Sequence, residues 1–554
     1  MLVGLARADL TVWEPGVEML GWGQPDGRLS GVAMPLNVRA LVVDEDGRTV
    51  VLVSVELCFV SQSLRDGVLA ALPPELGIDP AGLVLTANHT HSGPGGYSHR
   101  LLYLLANGGY VASIYAGLVE RISGCIVAAW EAREPGRLVF AETLIPASEP
   151  VSFNRAMSAY RRNPEAHTED RALAVDRRMR VLRAESADGR LLGAFTWFPV
   201  HCTSLHFDFR RVHPDNKGIA AAQLEADGCP VAAFAQAAAG DVSPNFRLDP
   251  ARQVYMGAED TDLASATANG QIQARYAADA LSAEGTAIDG GVDARLHWVD
   301  FHGRRADTRF TGGTEGVGTA RARLGLGFIE GTRDGPGPLW KARWLRRGLV
   351  RAVGAWKRLR PQGVDDPYGA SFPFLEVGVG GTGLCFGLFR MGRPILPSGS
   401  DPVVTEVHRL HSQHADVDSP WSESIVPVQV VRLGPLAIAA LPCEPTTVAG
   451  ARIEADLLAA LPGLEHVVVQ GYSNAYHGYL TTREEYAEQR YEGGHTVYGQ
   501  WTLAVYRTAL AAIAEALSVP AEDRPDPVGH PPAQVSAEEL VRRRYDGAPG
   551  TRRW

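Results

Sequence analysis

The sequence predicts an α/β fold, a mixed β-sheet core flanked by helices, on three observations. Short Val- and Ala-rich runs alternate with helical stretches as far as residue 517. The residues able to do chemistry follow directly on the strand runs, where open α/β sheets place their sites. A chain of 554 residues with 45% hydrophobic and 21% charged content can also bury a large core.

The elements follow in order. Residues 37–60, NVRALVVDEDGRTVVLVSVELCFV, read as a hairpin turning at Asp46 and Gly47. A helix is expected from Ser63 to Ala71, then a buried strand from Leu83 to Ala87 that delivers the loop HTHSGPGG. Tyr110 to Ala132 is a long, mostly apolar helix. Strands are expected at Met179–Leu182, Leu192–Val200, Val231–Gln236, Val428–Leu433, Ala437–Leu441 and Glu465–Gly471. Helices are expected at Thr447–Leu461 and Thr502–Leu517.

Two segments differ in composition. Residues 340–360, WKARWLRRGLVRAVGAWKRLR, are basic and carry three Trp. They suit a helix lying on a membrane or over a pocket, or a solvated basic face with Trp packed inward. The tail 520–554, rich in Pro, Arg and Glu, reads as a C-terminal extension of a catalytic domain spanning 1–519.

A net charge of -10 argues against nucleic acid as the partner, since phosphate binding needs surplus Lys and Arg. The N-terminus lacks a basic segment followed by an apolar one, and no uncharged window approaches the ~20 residues of a membrane span. Six scattered cysteines form no zinc ribbon and no disulfide scaffold, so reduced thiols in a cytoplasm are expected.

Three strand ends and one helix start hold candidate chemistry. His89 and His91, two apart, fall on one side of an extended backbone and can converge on a metal ion. Gly93, Gly95 and Gly96 behind them suit close approach of backbone to a ligand. His201 ends a second apolar run, open to either metal ligation or a backbone-satisfied core role. Ser243, in GDVSPN, reads from its neighbours as a turn residue, because the G-x-S-x-G spacing of a nucleophile elbow is absent. Glu444 sits before a helix with Thr446 or Thr447 as N-cap, able to complete a zinc set or to favour the helix dipole. Spacing does not choose among Tyr479, Tyr486, Tyr491, Glu492 and His495 in the last motif.

Taken together, HTHSGPGGY (89–97), FNRAMSAYRRNP (153–164), WFPVHCTSL (197–205), HPDNKG (213–218), GDVSPN (240–245), EGTRDGPG (330–337), PCEPTTVAGARI (442–453) and YLTTREEYAEQRYEGGHTVYG (479–499) resemble the neutral, non-lysosomal ceramidases in the family's own order. The resemblance runs from Val3 to about Tyr506. It implies a Zn2+ site held by His89, His201, Glu444 and Tyr491, and it makes Ser243 a nucleophile rather than a turn residue. It implies that His91, Arg155 and Tyr479 line the reaction centre, orienting substrate or holding the oxyanion. The activity implied is cleavage of an N-acyl amide, ceramide to sphingosine and fatty acid or a related lipid or small-molecule amide, through Ser243 and a zinc-activated water. Acyl transfer or cyclisation on a small metabolite, and a non-catalytic zinc-binding homologue, are the alternatives. Typical members carry a signal peptide and a further β-sandwich domain, neither of which is seen in this sequence. The expectation is therefore a cytoplasmic, bacterial-type enzyme.

Overall fold

The computed structural model describes residues 1–23, 27–105, 107–335, 363–378, 389–390, 393–394, 397–399, 402–417 and 419–545. The basic Trp-bearing segment 340–360 and Cys385 lie outside the described residues.

A mixed sheet of nine strands forms one layer. Along it run Leu83–Ala87, Arg48–Val55, Asn37–Glu45, Leu2–Asp9, Glu134–Leu144, Arg178–Ser186, Leu191–Trp197 and Ala232–Ala235, with Thr286–Ala287 attached to Glu134–Leu144. The predicted hairpin is at its heart, Val38 opposite Val55, and its turn takes the left-handed conformation at Asp46 (φ 52°) and Gly47 (φ 77°). That pairing of positive φ angles is what an Asp-Gly hairpin turn requires. The outermost pairs, Val51 with Leu83 and Ala194 with Ala232, are parallel, while the rest of the path is antiparallel.

A second sheet, Val292–Asp300, Ile425–Leu433, Leu436–Ala440 and His466–Gln470, packs on the first. Strand alternation decides which side chains meet there. Leu41 and Val43 point inward to join Val431, Leu433, Ile438 and Val468, while Ala40 and Val42 point outward to a separate cluster. Both faces are thus buried, and this explains why the strands read as continuous apolar runs. Outside the first sheet lie the helices Gln62–Ala71, Ala112–Glu131, Asp215–Ala226 and Asp262–Ser282. Thr447–Ala460 and Thr502–Leu517 cover the second. The layers therefore run helix, sheet, sheet, helix.

Ala112–Glu131 is long and apolar enough to cross a membrane by length and composition. Here Ile114, Leu118, Ile122 and Ile126 are buried in the core instead. In the tail, Arg543 is buried and donates to the His99 carbonyl at 2.7 Å, and the backbone of Tyr545 bonds to Tyr110.

The feature that positions the site is how the first sheet bends. Ser54 reaches the Phe234 carbonyl at 3.4 Å across its faces, and the loops beyond the sheet's two ends are joined by a parallel bridge between Thr90 and Cys202. The Gln236 amide ties them again, donating to the carbonyls of Asn88 (2.8 Å) and Val200 (2.6 Å).

Candidate active site

His89 stands two residues past the end of Leu83–Ala87, with φ at 72°. A left-handed histidine costs on the order of 1–2 kcal/mol and persists only where its surroundings hold it. Its backbone N–H donates to the Leu57 carbonyl at 2.9 Å, and its Nδ1 meets the Cys58 carbonyl at 2.6 Å. A carbonyl only accepts, so the proton sits on Nδ1 and Nε2 presents its lone pair to the centre of the site, where His91 Nε2 also lies 3.1 Å away. His201 repeats the arrangement, with Nδ1 2.9 Å from the Val242 carbonyl. Asn216, from the helix Asp215–Ala226, holds the His201 carbonyl at 3.0 Å.

Glu444 completes a cluster. Its carboxylate lies 3.6 Å from His89 Nε2 and 3.2 Å from His201 Nε2. One donor atom from each of the three residues falls within 4.8 Å of the others, and all three are buried. Glu444 does not serve the helix behind it. Thr446 caps that helix through Ala449 N, and Asp241 accepts from Thr447 N at 2.8 Å. The Glu444 carboxylate instead accepts hydroxyl bonds from Tyr472, at 3.0 Å, and Tyr476. Burial raises its pKa, but the two imidazoles and these hydrogen bonds overcome that and hold it well below the usual carboxylate range. Burial pulls His89 down to about 4 and His91 well below its ordinary value, so both are neutral near pH 7, the form that ligates metal. This set fits a divalent transition metal: two imidazoles oriented through their Nδ1 atoms and one carboxylate, all buried. Cys58 is close by, but burial pushes its thiol up and its sulfur faces Nδ1 of His89 rather than Nε2.

The two histidines of H-x-H do converge, with Nε2 atoms 3.1 Å apart. The physical reason differs from the expected one, because the strand ends at Ala87 and the left-handed turn at His89 brings them together. His91 packs edge-on against Trp22, ring centres 4.9 Å apart. Gly21 (φ 116°) makes that possible, since a Cβ there would fall 2.6 Å from the His91 ring. The glycines after His91 also have another purpose than expected. A Cβ on Gly95 would collide with Asn107 and one on Gly96 with Val111, so these residues pack the loop against its own chain.

Tyr479 and Tyr491 are placed differently from each other. Tyr479 pairs in register with Glu444, and its hydroxyl lies 3.3 Å from His201 Nε2. Tyr491, expected among the ligands, instead stacks on Phe328 (centroids 5.4 Å) and lines a cavity of about 650 Å³ with Arg155, Tyr255, Gly335 and Glu492. The Tyr479 hydroxyl reaches the histidine–carboxylate cluster through His201, and Tyr491 lies near enough to feel the Glu444 charge.

Ser243 is fully buried on a two-residue strand paired with Phe153–Asn154, next to Arg155. Its hydroxyl donates to Asp334 Oδ1, and Asn245 N donates to it at 2.9 Å. Arg155 joins this serine to the cluster. It donates to Asp334 (2.8 Å), Glu492 (2.9 Å), the Gly240 carbonyl (2.9 Å) and the Tyr479 hydroxyl (2.9 Å). Among the described residues four of the five guanidinium N–H groups are used, leaving one on Nη1. Sequence reading passed over Asp334 and did not separate Glu492 from its neighbours. The signal for Asp334 was its place in EGTRDGPG, a motif whose Asp-Gly pair looks like an ordinary turn.

A histidine–carboxylate cluster fit for metal, wired through one arginine to a buried serine, defines a hydrolase-type centre. The comparisons with known proteins agree with that class. The family model described as neutral/alkaline non-lysosomal ceramidase, N-terminal, matches residues 1–344 and 406–508. Neutral ceramidase of Pseudomonas aeruginosa is 33% identical over 529 residues, covering 93% of this chain and 72% of the relative. Neutral ceramidase of Mycobacterium tuberculosis is 31% identical, covering 99% and 80%. A solved structure titled as ceramidase complexed with C2 superposes with a TM-score of 0.78 at 31% identity, covering 96% of this chain and 77% of that one. The chain belongs to the neutral/alkaline non-lysosomal ceramidase family.

Proposed function

We propose that this chain is a zinc-dependent amide hydrolase that cleaves ceramide or a closely related N-acyl amine to a fatty acid and a free amine. The observation that carries the reading is the meeting of His89, His201, Glu444 and Tyr479 at one point, with Ser243 reached through Arg155. The substrate class is supported by the relatives' name, neutral ceramidase, at 33% and 31% identity over nearly all of this chain.

His89, His201 and Glu444 would hold the metal, and Tyr479 takes the fourth position, the reverse of the sequence expectation for the two tyrosines. Bound there, zinc supplies Lewis-acid polarisation of a carbonyl and a water of lowered pKa. The chain's own groups do the rest. Ser243 is the nucleophile and forms an acyl-enzyme. Arg155, anchored on four sides, offers its remaining Nη1 N–H to the developing oxyanion. Tyr491 lines the cavity where the substrate lies, and His91, its Nδ1 buried without a partner among the described residues, faces the same centre.

Stopped-flow hydrolysis of an activated N-acyl ester tests the nucleophile. A burst of the leaving group equal to one per chain, absent from Ser243→Ala, is expected. Ordinary turnover by that variant would refute the covalent route.

A further inference from the structure

We propose that Asp334 is the base that receives the Ser243 proton. This rests on the reading of Ser243 as the nucleophile.

The hydroxyl of Ser243 has a fixed rotation. Asn245 N donates to Oγ at 2.9 Å, and Oγ donates to Asp334 Oδ1. Its other acceptor among the described residues is the Asn245 carbonyl at 3.3 Å, an amide oxygen too weakly basic to take the proton. No histidine hydrogen-bonds this hydroxyl among the described residues, so the Ser-His relay of many hydrolases has no counterpart here. With one lone pair engaged by Asn245 and the proton turned to Asp334, the second lone pair is left for an acyl carbon.

Asp334 is itself held from both sides. Oδ1 accepts from Asn245 Nδ2 at 2.9 Å; Oδ2 accepts from Arg155 Nη1 at 2.8 Å and from Thr332 Oγ1 at 3.4 Å. Thr332 in turn accepts from Asp334 N at 3.2 Å, which fixes the loop carrying the carboxylate. An aspartate that accepts a hydroxyl proton is established chemistry in phosphoryl transfer.

The step balances without a further reagent. The Ser243 proton passes to Oδ1 as the O–H pair forms the Oγ–C bond and the carbonyl π pair moves onto oxygen. Collapse of the tetrahedral adduct then breaks C–N, and the departing nitrogen takes the proton back from Asp334 as the amine leaves.

Labelling by an alkyl fluorophosphonate, which modifies activated serines, reads this step apart from amide turnover. Mass spectrometry locates the adduct and times it in the full-length protein. Wild-type Ser243 is expected to label, and Asp334→Asn, which keeps the shape but not the basicity, should label about 10²- to 10⁴-fold more slowly. Folded D334N labelling at the wild-type rate would overturn the proposal. Asp334→Ala adds a second arm, because formate can occupy the vacated carboxylate position. Labelling that climbs with formate supports the base role, and labelling indifferent to formate overturns it. A wild-type adduct on another serine, with S243A turning over normally, would instead remove the nucleophile reading and this inference with it.

Discussion

Replacing Arg155 by methionine isolates the part of the site that everything else hangs on. The guanidinium is buried, and it faces two buried carboxylates, Asp334 at 2.8 Å and Glu492 at 2.9 Å. Breaking a buried pair by removing one partner costs about 3–5 kcal/mol, because a charge is left without compensation. The loss has a pH signature that can be worked out. Burial pushes the Asp334 pKa up, yet Arg155, with His201 and Ser243, brings it below the ordinary carboxylate value. A lowered folded pKa gives stability that is present above the unfolded value, about 3.9, and lost as pH falls through the folded one. In R155M that contribution is gone, so the gap from wild type is full at pH 7 and shrinks as pH falls from about 3.9 through the lowered pKa of Asp334. Urea unfolding at pH 7 and at about pH 2.5 measures both. A gap under about 1 kcal/mol at pH 7, the worth of an exposed pair, or one that does not shrink in acid, would refute the reasoning.

Two further outcomes separate residues that sequence alone could not. Tyr479→Phe should weaken zinc affinity by at least about 10-fold, the scale seen even for residues behind the ligands, while Tyr491→Phe leaves it unchanged and raises KM instead. Competition with a chromogenic chelator measures the first, and the opposite pattern would return Tyr491 to the metal. Gly240→Ala places a Cβ 2.6 Å from the Glu444 carbonyl and 3.0 Å from that of Pro445. Overpacking of about 1–3 kcal/mol is expected, visible as a lower Tm together with weaker zinc binding. An unchanged Tm would mean that the Glu444 segment yields more easily than its packing suggests.

How much of this was legible in the sequence depends on the range over which each residue acts. The strand Leu83–Ala87 and the N-cap are local facts, written in a Val- and Leu-rich run and in a pair of threonines before a helix; the strand appears as expected, and of the two threonines it is Thr446 that caps. The strands Leu2–Asp9 and Glu134–Leu144 were hidden. Arg7 and Asp9 interrupt the apolar pattern of Leu2–Asp9, and Pro135 and Gly136 give the start of Glu134–Leu144 the composition of a turn. Helix Asp262–Ser282 buries mostly Ala, Asn, Gln and Ser, so its apolar stripe is faint. Site residues behave likewise. His89, His201 and Glu444 each follow a strand and could be listed one by one, but their meeting depends on the coiling of the sheet. The left-handed turn at His89 and the in-register pairing of Glu444 with Tyr479 are products of tertiary structure. For that reason the resemblance pointed to Tyr491 as a ligand, and the proposal for Tyr479 rests on its position, with its hydroxyl 3.3 Å from His201. Asp334 meets Ser243 across 91 residues and Arg155 across 179, distances at which a turn-like Asp-Gly gives no warning of a buried carboxylate.

The most direct test of the central claim is a zinc titration of metal-stripped protein that follows bound zinc and hydrolysis of an N-acyl sphingosine together, in wild type and in His89→Ala. Activity is expected to rise in step with zinc to one ion per chain, and H89A should lose both. Full hydrolysis by the stripped protein, or stoichiometric zinc retained by H89A, would contradict the account.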